Sequence, residues 1–226
     1  MSVRYPLPTN HYGTMNQQRQ YWNELFAATR DRFGSEPSAP ARAAADLFHT
    51  ERKQSIVELG AGYGRDTLFF ARKGFRVCAL DGADTALKAI QASAFQAGGA
   101  GQISLGLHDA RDPVPLASAS FDACYSHMLL CMALTTHEIE RLAGEIHRVL
   151  KSGGLHMYTV RTTADLEYGI GIDLGDDMYE DDGVILHFFD RALVDRLASG
   201  FELLDVAEFE KGALPRRLYR VLMRKV

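Results

Sequence analysis

A doubly wound α/β sheet of seven strands, mostly parallel with an antiparallel hairpin at one edge, is predicted by three features of the 226-residue chain. Short apolar runs of strand length alternate with amphipathic segments of helix length through most of the sequence. Glycines cluster where the first of these runs gives way to a helix, the usual crossing point of a strand–turn–helix unit. The last two apolar runs have no helix between them, so they close as a hairpin. Residues 1–50 form an N-terminal helical extension ahead of the sheet.

The elements follow in order. Residues 14–33 have a helical face of Tyr21, Leu25, Phe26, Thr29 and Phe33. Glycine and two prolines punctuate 34–40, and a second helix follows Ser38 through ARAAADLFH. SIVEL (55–59) is a strand that ends at GAGYG. Residues 65–73 are helical and stop at Gly74, and FRVCALD (75–81) is the second strand. Asp84 is placed to cap a helix ending at Gly98 and Gly99. Residues 102–107 are strand three, 108–115 a loop, and 121–126 strand four. Thr135 with Glu138 makes a capping box for a helix to Lys151, and Gly153–Gly154 stops it before strand five, LHMYTV (155–160). VILHFF, a helix from near Asp190, and strands at 201–209 and 218–225 complete a single predicted domain, 1–226.

Composition narrows the function. The 46% hydrophobic content supports a large core, and 24% charged residues exclude a disordered chain. No window approaches 18 consecutive apolar residues, so no membrane partner is expected. MSVRYPLPTNHYG lacks the apolar stretch of a signal peptide. Cys78, Cys124 and Cys131 form no pairing pattern, which points to reduced thiols and a cytoplasmic protein. A net charge of −4 argues against nucleic acid as a partner. The six Lys or Arg of 211–226 are expected to blunt an edge strand. Histidines and cysteines are scattered without ligand spacing, and DDMYEDDG does not match a calcium loop, so no metal site is expected. No Gly-x-Ser-x-Gly elbow and no P-loop lysine occur.

The strongest signal is Glu58-Leu59-Gly60-Ala61-Gly62-Tyr63-Gly64, between a strand and a helix. Glycines allow positive φ and close approach of a ligand that a Cβ would repel. The helix N-terminus offers N–H groups to a negative ligand group. Asp81 ends the next strand, where a carboxylate can accept both hydroxyls of a ribose. Together these point to an adenosine-containing cofactor. The dinucleotide fingerprint spaces its last glycine two residues on, whereas this chain reads G-x-G-x-G with an acid two residues ahead. VELGAGYGRDTLFFARKGFRVCALD therefore resembles the class I S-adenosylmethionine-dependent methyltransferases. His108-Asp109-Ala110, Phe121-Asp122-Ala123 and Leu150-Lys151-Ser152-Gly153-Gly154 continue the resemblance. It is nearest to compact small-molecule enzymes with an N-terminal helical lid, such as the tellurite-resistance and thiopurine enzymes.

The resemblance implies a Rossmann-like methyltransferase fold with S-adenosylmethionine as cofactor and a small-molecule acceptor. Residues 51–160 become the cofactor-binding half and 161–226 the substrate side. Glu58 would order the loop and the methionine end, and Gly60, Ala61, Gly62 and Gly64 would make room for it. Asp81 would hold the ribose, Gly82 would flank the adenine, Asp109 would accept from its amino group, and Ala110 N–H would meet a ring nitrogen. Trp22, on the extension with His11, Tyr12 and Tyr21, would cover the cofactor. His127, just past strand four, is the candidate catalytic base, with Tyr125 a second and Arg161 an anchor. Residues 165–182, with eight acids and no Lys or Arg, are expected to form a flap that favours a cationic or amine acceptor. A non-catalytic S-adenosylmethionine-binding sensor or partner subunit is the alternative function. A nicotinamide-dependent oxidoreductase is disfavoured by the glycine spacing.

Overall fold

The computed structural model describes residues 17–29, 34–96, 100–212 and 216–226. His11, Tyr12, residues 14–16 and 30–33 of the expected first helix, and Gly98 and Gly99 lie outside them. The described part of that helix is α1 (Gln18–Ala28), followed by α2 (Ala39–Thr50), whose N-cap Ser38 accepts a hydrogen bond from Ala41 N. Then come β1 (Ser55–Leu59), α3 (Arg65–Arg72), β2 (Arg76–Asp81), α4 (Asp84–Gln96), β3 (Ile103–Leu107) and β4 (Phe121–His127). The second half contains α5 (Thr136–Val149), β5 (Leu150–Arg161), β6 (Ile172–Gly175), β7 (Met178–Asp181), β8 (Val184–His187), α6 (Arg191–Leu197), β9 (Phe201–Lys211) and β10 (Arg216–Lys225).

Seven strands form one sheet in the order β3-β2-β1-β4-β5-β10-β9. The first five are parallel, and β10 runs antiparallel to both β5 and β9. Helices cover both faces, which is why every residue of β1 is buried. Val57 and Leu59 join Ile139, Ile146 and Leu193 of α5 and α6 on one face. Ile56 joins Phe48 and Phe70 of α2 and α3 on the other, with Ala123, Tyr125 and Met157. Glu58 shares the parity of Ile56 and so turns toward α3. α5 begins with the predicted capping box, Thr135 and Glu138 each bonding the other's backbone.

Four sequence expectations need correction. α5 ends at Val149 rather than Lys151, because Leu150 already pairs with Phe121 in the sheet. The Gly153–Gly154 pair thus lies within β5, where a Cβ on Gly154 would stand 2.7 Å from the Lys151 carbonyl oxygen. Asp84 lies inside the first turn of α4 and ion-pairs with Lys88. The carboxylate ahead of that helix that accepts a backbone N–H, from Ala83, belongs to Asp81.

Third, the acidic stretch is not a bare loop. Its second half, with VIL of the following segment, folds as a three-stranded antiparallel meander, β6-β7-β8. Fourth, most of the basic C-terminal residues lie on β10, which is an interior strand; the edge is β9. They act through pairing instead: Arg224 grips Glu51 with two nitrogens, and Lys225 Nζ donates to the carbonyls of His147 and Leu150. All three cysteines are buried thiols. Among the described residues, no helix is long and apolar enough to cross a membrane.

Candidate active site

A cavity of about 630 Å³ opens at the carboxyl ends of β1, β2, β4 and β5, roofed by α1 and the meander. A parallel sheet offers its ligand crevice at this edge, beside the point where strand order reverses. Here that point lies between β1 and β4.

The floor is the turn after β1. Gly60, Gly62 and Gly64 all take positive φ, at 72°, 54° and 76°. They do different work. A Cβ on Gly62 would meet only the Phe26 ring at 3.5 Å, so the turn conformation, not crowding, selects glycine there. On Gly60 it would press Leu129 at 2.9 Å. On Gly64 it would collide with Ile90 Cγ1 at 2.5 Å, because α3 packs tightly on α4. Gly60, Ala61 and Gly62 line the cavity and Gly64 does not. Gly64 serves helix packing rather than ligand room.

Carboxyl groups surround this turn. Glu58 is 3% exposed and accepts from Thr67 Oγ1 at 2.5 Å. Burial, then the neighbouring Asp66 and Asp81, hold its carboxyl well above the usual carboxylate range. Asp66 accepts from Ser38 N (2.7 Å), Ser38 Oγ (2.8 Å) and Tyr125 Oη (3.2 Å), locking α2 to α3. Asp81 accepts from Gly62 N at 2.7 Å and Ala83 N at 2.8 Å, tying the two strand ends together. Burial raises its pKa against the opposing pull of those two bonds. Gly82, Asp109 and Ala110 continue the same wall. Asp109 is engaged by the Arg111 guanidinium at 2.9 and 2.6 Å, which lowers its pKa. Beside it, His108 Nε2 is buried without a hydrogen-bond partner.

The roof carries Trp22, half-buried against Tyr21 and Phe26. Tyr63 Oη donates to the Phe26 carbonyl, fastening α1 over the glycine turn. Gln18 fastens it to the meander, donating to Gly183 O and accepting from Ile185 N.

His127 lines the far side with both ring nitrogens engaged: Nδ1 lies 2.6 Å from Thr159 Oγ1 and Nε2 2.9 Å from Lys211 Nζ. The lysine must donate, so Nε2 accepts and the ring is neutral with its proton on Nδ1. Burial, with Lys211 and Arg65 nearby, pushes the His127 pKa down to about 2. A base role for His127 therefore requires Lys211 to withdraw. Tyr125 is fully buried on the α2–α3 side, bonded to Ser38 and Asp66, and lines no part of the cavity. That excludes it as a base in this structure. Of the eight acids in 165–182, Glu167, Asp181 and Asp182 line the cavity.

Sequence reasoning missed Lys211, Arg65 and Arg216 on the cavity wall, and the apolar patch of Met128, Leu129 and Met132. Arg65 follows the glycine motif directly and was open to discovery there. Lys211 was not, because only the tertiary fold carries the end of β9 to His127.

Residues 56–154 match the family model described as a methyltransferase domain. No curated protein matches the sequence. Among solved structures, 1,6-didemethyltoxoflavin-N1-methyltransferase of Burkholderia thailandensis, with bound 1,6-didemethyltoxoflavin and S-adenosylhomocysteine, is similar at TM-score 0.72. It shares 20% identity, over 99% of this chain and 93% of that one. Magnesium protoporphyrin IX methyltransferase of Synechocystis PCC 6803, with bound S-adenosylhomocysteine, is similar at 0.73 and 11% identity, over 94% and 99% of the chains. An S-adenosylmethionine-dependent methyltransferase from Mesorhizobium loti is similar at 0.67 and 22% identity, over 83% and 99%. At these identities the likeness to solved structures is one of fold.

Proposed function

We propose that the chain is a class I S-adenosylmethionine-dependent methyltransferase, with S-adenosylmethionine as its cofactor, and that it methylates a small-molecule acceptor bound in the same cavity. The observation that carries this reading is one continuous cavity wall running from the left-handed glycine turn through Asp81 to Asp109 and Ala110. An extended ligand with a cationic end, a ribose and an adenine suits that order of groups.

The chain's own residues would act as follows. The open Cα positions of Gly60 and Gly62 would admit the methionine end, beside the carboxyl groups of Glu58 and Asp81. Asp81, already fixed by Gly62 N and Ala83 N, presents its remaining lone pairs to ribose hydroxyls. Asp109 and His108 face the adenine. Trp22 and Phe26 exclude water from above. When bound, the cofactor would supply a sulfonium-activated methyl group to an acceptor lone pair, with a neutral thioether as leaving group. Holding the acceptor in line within a dry cavity supplies most of the acceleration, so no dedicated base is needed. His127 then acts as a positioning residue that fixes Lys211. Residues 51–160 serve the cofactor and 161–226 the acceptor, in a single domain suited by its buried thiols to a reducing cytoplasm.

Titration calorimetry tests this directly. S-adenosylmethionine and S-adenosylhomocysteine should bind and NAD should not. A screen of small acceptors that follows S-adenosylhomocysteine release should then find turnover. Failure of both sulfur ligands to bind would overturn the proposal.

A further inference from the structure

We propose that the acceptor is an anion, an apolar body bearing a carboxylate or a similarly compact oxyanion, and that Arg161 and Lys211 hold it on the inner wall of the cavity. The proposal rests on the methyl-transfer reading for the word acceptor; the anion site itself stands on the side chains alone.

Arg161 ends β5 and is 2% exposed, yet it lines the cavity. Its Nη1 donates to Glu167 and its Nε lies 3.8 Å from Asp165 Oδ2. Its Nη2 is buried with no hydrogen-bond partner. A guanidinium stays charged in any such setting, and leaving one of its donors unpaired in a dry site is costly. The two acids do not fully claim it. Asp165 also accepts from the backbone N–H groups of Arg217 and Glu167, and Glu167 is itself half exposed.

Lys211 ends β9, partly buried, with Nζ donating to neutral His127. Among the described residues no carboxylate lies within 4 Å of it; the charges of Arg65, Asp66 and Arg216 act on it from farther off, with Asp66 alone opposing the two arginines. Burial first, then Arg65, lowers its pKa to about 8.

Strand register places these groups on one face. His127 opposes Thr159, Arg161 opposes Leu218, and Lys211 opposes Arg216 along adjoining strands. Side chains of opposed residues share a face, and alternate residues return to it. The carboxyl edge of the sheet thus brings Arg161, Arg216 and Lys211 together over buried Leu218, with Met128 and Met132 on the same cavity. A carboxylate on an apolar skeleton matches the unpaired Nη2 of a guanidinium, an ammonium and a thioether-lined wall.

The acids that suggested a cationic acceptor are disposed differently. Asp173 accepts from Gly175 N, Asp177 from Tyr168 Oη, and Glu180 from Gly183 N. Asp181 and Asp182 reach the cavity but are exposed residues of its rim. Glu58 and Asp81 belong to the cofactor end, and Asp66 is held by Ser38 and Tyr125. The inner wall sets Arg161, Arg216 and Lys211 against one lining acid of the acidic stretch, Glu167.

The test titrates the full chain, with and without saturating S-adenosylhomocysteine, against benzoate and against benzylamine. Benzoate should bind and benzylamine should not. Lys211→Gln should weaken benzoate about tenfold, and Lys211→Arg should restore most of the loss. S-adenosylhomocysteine affinity should stay within twofold in both variants. Arg161→Gln should weaken benzoate at least as much, with circular dichroism checking its fold; if it does not fold, Lys211→Gln decides. Benzylamine binding more tightly, neither probe binding, or equal benzoate affinity in Lys211→Gln and parent would each overturn the anion site. Failure of S-adenosylhomocysteine to bind the parent would overturn the methyl-transfer reading instead, and the benzoate titration on the unliganded chain would still decide this one.

Discussion

The wall proposed for the cofactor is built mainly between residues 58 and 82, by backbone geometry at two neighbouring strand ends, while the wall proposed for the acceptor gathers Met128 from just past β4 and Arg161, Leu186 and Lys211 from β5, β8 and β9. On the first side, recognition comes from positive φ, the open space beside glycine Cα atoms and a strand-end carboxylate, each tied to a short motif. On the second, it comes from long side chains whose meeting depends on sheet order. One wall is thus fixed by local chain chemistry and can be shared among proteins with different substrates. The other can change residue by residue without disturbing the fold, which is where specificity should reside.

The sharpest way to break this contrast lies within the glycine turn. Gly64→Ala meets both a φ of 76° and Ile90 Cγ1 at 2.5 Å. A left-handed alanine costs about 1–2 kcal/mol, and overpacking about 1–3 kcal/mol more. We expect a loss of about 3 kcal/mol in urea unfolding. Gly62→Ala has room beside Phe26 and should cost only about 1 kcal/mol in stability, yet lower S-adenosylmethionine affinity at least tenfold. Equal destabilisation by the two would show that the loop's glycines are not divided between packing and binding.

Next in size is Asp81→Ala. It removes the acceptor shared by Gly62 N and Ala83 N, and a ribose partner as well. Charge-assisted bonds of this kind are worth about 1.5–3 kcal/mol, so S-adenosylmethionine should bind at least about tenfold more weakly. Benzoate affinity should not move. A parallel loss of benzoate binding would mean that the two walls are not independent.

His156 separates the scaffold from the acceptor wall. It lies in the core beneath Phe201, 1% exposed, with neither ring nitrogen bonded. Burial pushes its pKa down to about 3. The unfolded chain, titrating near 6.5, takes up the proton first, so stability present at neutral pH is lost as pH falls from about 6.5 to about 3. His156→Phe should flatten that slope, by about 2 kcal/mol between pH 7 and pH 5 and by more below. The residual acid sensitivity would then include His127, whose pKa is depressed in the same direction. Unfolding midpoints measured at pH 7, 5 and 4.5 check the difference; parallel curves for parent and variant would refute it.

How far the sequence reached follows the same division. The five parallel strands, the capping box at Thr135–Glu138 and the closing hairpin were legible because periodicity and caps act within a few residues. Glu58, Gly60, Gly62, Asp81 and Asp109 were found as one motif set, and all line one cavity. The role of Gly64 was misjudged because its neighbour Ile90 lies on another helix. The meander was missed because its strands are four residues each, with Asp and Gly at their turns, a composition that also fits a solvated loop. The position of β10 inside the sheet was missed because hairpin pairing alone does not say which strand meets β5. Lys211 was hidden for the same reason.

The smallest expected effect is the most discriminating for the sign of the acceptor. Asp181 and Asp182 are the exposed acids of the meander that reach the cavity, at the end of β7 and in the turn after it. Asp182 has a φ of 54°, which asparagine tolerates as well as aspartate does. The double change Asp181→Asn and Asp182→Asn therefore removes two charges with little strain, and stability should stay within about 0.5 kcal/mol. S-adenosylmethionine affinity should be unchanged, since the cofactor wall keeps Glu58 and Asp81. If the acceptor were a cation drawn in by the acidic rim, turnover should fall and lose its dependence on salt. If it is an anion held by Arg161 and Lys211, loss of two rim charges should leave turnover equal or raise it by about twofold, with the gain shrinking as salt is added. Measuring the rate at low and high ionic strength separates the two, because only a cationic acceptor loses rate when the rim charges are removed.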